Sequence, residues 1–73
     1  MMDKSERRNA ELMRDRLKKI LPDLKLAYEN AKDLAEKYDW DMGYWDMCEA
    51  YMTLADAYIG VMEALAKDDG GEK

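Results

Sequence analysis

The sequence predicts an all-α protein, an antiparallel hairpin of two long helices that dimerises into a four-helix bundle. Three observations predict it. One proline and four glycines punctuate 73 residues otherwise rich in strong helix formers. Two apolar series keep an unbroken 3-4 spacing, the pattern of helices that pack lengthwise. The first runs Ala10, Met13, Leu17, Ile20, Leu24, Ala27, Ala31, Leu34, Tyr38, and the second Trp45, Cys48, Met52, Ala55, Ile59, Met62, Ala66. Between them Asp39-Trp40-Asp41-Met42-Gly43 gathers capping residues and a glycine, which places a turn.

Helix 1 is expected over residues 5–38, with Asp3 or Ser5 as its cap. Pro22 falls inside it. An interior proline removes one hydrogen bond at a cost of about 3 kcal/mol and disfavours helical geometry at Leu21. A kinked, continuing helix is preferred to a break, because the apolar series keeps its phase across Pro22 and Leu21 is a poor N-cap. The alternative is a three-helix bundle broken at Pro22. The turn is expected at 39–42, helix 2 at 43–67, and a disordered acidic tail at 68–73, the whole forming one helical domain. Pairing outward from the turn sets Tyr38 beside Tyr44 and residue 15 beside residue 67. Residues 5–14 would then overhang, carrying Arg7, Arg8 and Arg14.

The faces suggest partners. Helix 2 is apolar beyond the predicted seam, since Tyr44, Tyr51, Tyr58 and Leu65 recur every seven residues, as do Met47, Leu54 and Val61. One neighbour cannot cover so wide an arc, so a third helix of the same chain, a second copy or another protein is expected there, a second copy being the simplest for a two-helix chain. The predicted partner-binding set is Trp40, Tyr44, Met47, Tyr51, Leu54, Tyr58 and Val61, with tyrosine and methionine supplying adaptable contact area. Asp46, Glu49, Asp56 and Glu63 form an acidic face that is either solvated or docks on a basic protein. Gly60, costly within a helix, suggests a close backbone approach.

The net charge of −5 is uneven: residues 1–25 hold 8 Lys/Arg against 5 Asp/Glu, and residues 26–73 hold 4 against 12. Arg7, Arg8, Arg14, Arg16, Lys18 and Lys19 are therefore candidate phosphate contacts, or else partners of Asp68, Asp69 and Glu72.

Composition removes much chemistry. There is no histidine, one cysteine, one serine and one threonine, so the commonest general base, a hydrolytic triad and a disulfide are all missing. Cys48 lies on an apolar series, where a thiol acts as a small hydrophobe. No cofactor or metal site is expected. The opening Met1-Met2-Asp3-Lys4 lacks the apolar core of a signal peptide, and no apolar run is long enough to span a membrane, so a cytoplasmic location is expected. The expectation is a small acidic non-enzymatic binding protein acting through protein–protein contact, such as a phage or mobile-element inhibitor. The alternative is a dimeric nucleic-acid-binding regulator using the basic part of helix 1.

Overall fold

The computed structural model describes residues 1–71. The chain folds into two antiparallel helices, α1 (Lys4–Tyr38) and α2 (Asp41–Ala66), followed by a wide π-helical turn over Lys67–Gly71. The hairpin measures 52 × 19 × 13 Å, the long dimension being that of a 35-residue helix at about 1.5 Å per residue. No helix among the described residues is long and apolar enough to cross a membrane.

Local chemistry explains each end. Asp3 caps α1 in a capping box: its Oδ1 accepts from the Glu6 amide at 2.8 Å, and Glu6 Oε1 accepts from the Asp3 amide at 3.0 Å. α1 then runs without a break through Pro22, so the three-helix arrangement is not formed. Pro22 is exposed, and water can reach the Lys18 carbonyl that it leaves without a donor. Asp39 ends α1 in the left-handed region (φ 56°, ψ 37°), which its short polar side chain tolerates.

The turn is only Asp39 and Trp40, two residues shorter than expected, because Asp41 and Met42 already belong to α2. Gly43 is therefore a helical residue and does not serve the turn. Its lack of a side chain has another cause: a Cβ there would run into the indole of Trp40, which folds back over the first turn of α2. At the other end, residues 68–71 wind up where the sequence suggested a disordered tail, with Gly70 at φ 127°. Glu72, expected to pair with an arginine, and Lys73 lie outside the described residues.

The seam between the helices uses a different phase from the predicted one. In α1 the two share Ala10, Leu17, Leu24 and Ala31, but the seam completes the pattern with Arg14, Leu21, Tyr28 and Ala35, leaving Met13, Ile20 and Leu34 exposed. In α2 the change is larger. Tyr44, Met47, Tyr51, Leu54, Tyr58, Val61 and Leu65 turn toward α1, while Trp45, Met52, Ile59 and Met62 face outward. Tyr28 stands against Tyr44 and Tyr51, with ring centroids 5.4 and 6.4 Å apart. Ala31, Ala35 and Gly43, all buried, let the helices approach closely near the turn.

The register also differs from the expected one. Tyr28 meets Tyr44, and Arg7 meets Asp68, so α1 has no overhang at Arg7. A two-residue connection doubles α2 back along the last turns of α1, and the Lys67–Gly71 turn carries the chain on to the start of α1. The resulting core is thin: Leu17, Ala31, Ala35, Val61 and Leu65 are buried, and among the described residues no large side chain is fully enclosed.

Candidate interaction surfaces

Two apolar faces remain open on this hairpin. The first is the outer face of α2, where Trp45, Met52 and Ile59 are 63%, 60% and 55% exposed. Successive members lie seven residues apart, so they form one ridge along the helix. Cys48 and Ala55, half-buried, and Met62 fill the positions between. A shallow groove of about 480 Å³ runs beside the ridge, bounded by Trp45, Cys48 and Met52 and by Asp46, Glu49 and Asp56. α2 contains five carboxylates (Asp41, Asp46, Glu49, Asp56, Glu63) and no lysine or arginine. Among the described residues none of these five forms an ion pair.

The second face is built from both helices. Met13, Ile20 and Leu34, between 43% and 46% exposed, line one edge of α1. Beside them on α2 runs a row of small residues at seven-residue spacing, Ala50, Ala57 and Ala64. The rows meet in a groove of about 1040 Å³ near the free end of the hairpin, lined by Ala10, Met13, Val61 and Ala64 and closed by Met2 and Asp68.

These positions revise the expected partner-binding set. Tyr44, Met47, Tyr51, Leu54, Tyr58 and Val61 face α1 within the same chain, so their surface is largely used. Tyr28 and Tyr44 join their hydroxyls at 3.0 Å, and this bond, with partial burial, pushes the Tyr28 phenol up to about 12. Trp40 alone of that set stays half-exposed, leaning on Gly43. The reading from sequence missed the outer face because both series on α2 keep a 3-4 spacing. A usable signal was present: Asp46, Glu49, Asp56 and Glu63 lie opposite the tyrosine, leucine and valine rows, and the buried face of a helix lies away from its acids. Gly60 has nothing within 4 Å of where a Cβ would stand, so no close approach occurs there within the chain.

The six candidate phosphate contacts of α1 do not share one face. Arg7 is held by Asp69 at 2.6 Å, Asp68 at 2.8 Å and Glu11 at 3.1 Å, which raises its guanidinium further above its ordinary range. Asp68 is held below the usual carboxylate range, first by the Met2 amide donating at 2.8 Å and then by Arg7. Arg14 pairs with Asp15 at 2.9 Å, which lowers that carboxyl. Arg8, Arg16, Lys18 and Lys19 form no ion pair among the described residues, yet with the other two they spread around more than half of the helix circumference at about 100° per residue.

Among the described residues no three Cys, Asp or Glu side chains converge as metal ligands would. Cys48 is a free thiol. Compared with known protein families, with curated proteins and with solved structures, the chain matches none.

Proposed function

We propose that this protein is a non-enzymatic helical binding module that self-associates into a four-helix bundle and acts by covering the surface of another protein. One observation carries the reading: the hairpin leaves more surface in water than a compact chain of its mass, with Met13, Ile20, Leu34, Trp45, Met52 and Ile59 among the exposed side chains. A compact monomer of 8.5 kDa exposes roughly 4,700 Å² by the usual size scaling, whereas this chain exposes 5891 Å². The excess, roughly 1,200 Å², is larger than the ~800 Å² that each partner contributes to a standard interface.

The face of Met13, Ile20 and Leu34 suits a second copy. A two-fold axis can set the large row of one chain against the Ala50, Ala57 and Ala64 row of the other, so that one patch covers itself. That arrangement leaves the outer face of α2 open for a different protein. With no reactive group placed, its effect on that protein would be occupancy, as in a phage or mobile-element inhibitor that blocks a host surface. Phosphate binding by α1 is the weaker reading, since Arg7 and Arg14 are engaged and the other basic side chains diverge.

Light scattering tests the assembly. The chain should run at twice its formula mass at micromolar concentration, and Ile20→Glu should halve that mass with helical circular dichroism retained. A wild-type monomer would remove self-association. Steeply salt-dependent binding to duplex DNA, lost in Arg8→Ala plus Arg16→Ala, would favour the nucleic-acid reading instead.

A further inference from the structure

The geometry points to a specific occupant for the outer face of α2: a basic amphipathic helix of a partner protein, lying lengthwise along Trp45, Met52 and Ile59. This rests on the reading of the protein as a binding module and names the partner's chemistry.

The shape of the occupant follows from spacing. Trp45, Cys48, Met52, Ala55, Ile59 and Met62 alternate at three and four residues over about five turns of α2. Such a seam is complementary to another helix, whose side chains enter the holes between its ridges. α2 carries two seams of this kind, and α1 occupies the other. Trp45 gives the open one a large anchor, the residue type that dominates binding hot spots. Tyr44, Tyr51 and Tyr58 separate it from α1 on one flank.

The charge of the occupant follows from the opposite flank. Glu49, Asp56 and Glu63 run beside the seam, seven residues apart, with Asp46 at its turn end. α2 offers no cation to answer them. A second copy laid antiparallel on the same face would bring carboxylates against carboxylates, which costs energy directly and disfavours that pairing. A partner helix with apolar residues every three or four positions and lysine or arginine on the adjoining flank satisfies both features. The acidic row then steers encounter and sets orientation, while Trp45, Met52 and Ile59 supply the buried area.

The probe is a synthetic helical peptide of about three heptads, leucine on the seam and lysine on its flanks. Two controls accompany it, a leucine/glutamate peptide of the same pattern and a leucine/lysine peptide of the same composition with the seam scrambled. Titration calorimetry should show binding of the first alone. Met52→Glu should weaken it by roughly tenfold or more, and Glu49→Gln, Asp56→Asn and Glu63→Gln together should weaken it and flatten its salt dependence. All four positions are exposed, so the variants should keep their helical signal and the mass of the wild type. Equal binding of the scrambled or acidic peptide, or binding unaffected by Met52→Glu, would overturn the inference while leaving self-association intact. Loss of self-association in Met52→Glu would also overturn it, by giving this face to a second copy. A monomer that still binds the basic peptide would refute the four-helix assembly and leave this inference standing.

Discussion

Arg7 Nη1 and Asp68 Oδ2 lie 2.8 Å apart, joining the first turn of α1 to the turn beyond α2 from positions 61 residues apart in the chain. Asp68 is only 9% exposed in its side chain and also accepts from the Met2 amide, so this carboxylate ties down the start of the chain. Asp68→Ala should therefore loosen the hairpin's free end more than Arg7→Ala, and the two effects should not add, because they remove one shared contact. Amide exchange checks this: residues 4–10 should exchange several-fold faster in either variant while residues 44–58 stay protected. Acid should act alike. Because folding lowers the Asp68 carboxyl, its contribution is complete above the ordinary carboxylate range and is lost as pH falls through the folded value. The protection of wild-type residues 4–10, taken relative to the intrinsic exchange rate at each pH, should therefore fall on acidification, and that fall should be absent in Asp68→Ala.

The two helices, their near-complete lengths and the continuity across Pro22 were legible because each rests on local chemistry: helix formers throughout, one cap at Asp3, and an apolar phase that Pro22 does not interrupt. The choice of faces was not legible from spacing alone. On α2 the Trp45 and Tyr44 series both satisfy the 3-4 rule, and only the position of the acids separates them. Packing made the decision: Tyr28 stands against Tyr44 and Tyr51, and the small side chains of Ala31 and Ala35 are buried near the turn. Asp68 and Asp69 were legible as partners of the N-terminal arginines from charge alone, but the turn that delivers them to Arg7 was not, because carboxylates before a glycine pair read as a frayed end.

The Tyr28–Tyr44 hydroxyl bond makes the hairpin sensitive to alkali. A phenol whose folded value is raised contributes stability that is full below its ordinary value near 10 and is lost as pH rises toward about 12. Tyr44→Phe removes the partner, so Tyr28 should titrate nearer the ordinary phenol value. Ultraviolet difference absorbance of the phenolate should show that shift, and the variant's thermal midpoint should depend less on pH over that interval than the wild type's.

The two glycines within α2 should respond oppositely to alanine. Gly60 is exposed with open space where a Cβ would stand, so Gly60→Ala should gain the helix-propensity difference, about 1 kcal/mol, in urea unfolding. Gly43→Ala has the same propensity on its side but would force the Trp40 indole off the first turn of α2. It should lower the urea midpoint and, in a Trp45→Phe background, shift Trp40 emission to longer wavelength as the ring enters water. Unchanged emission would mean that Trp40 does not rest on Gly43.

Pro22 gives the strongest single test of the two-helix architecture. In a continuous α1 this residue occupies an interior position, offers no amide to the Lys18 carbonyl and sits on the exposed side. Pro22→Ala restores that donor without removing any buried contact, so unfolding free energy should rise by about 1–3 kcal/mol. Were residue 22 instead the first residue of a separate helix, its fixed φ and missing donor would suit the site, and alanine would be neutral or destabilising. Half-buried Leu21 and Leu24 adjoin it on the seam toward α2, so any bend at Pro22 also sets their packing. A gain in stability together with amide protection at Leu17 and Leu24 that rises in step with it would show that the proline is tolerated by the seam and is not required by it.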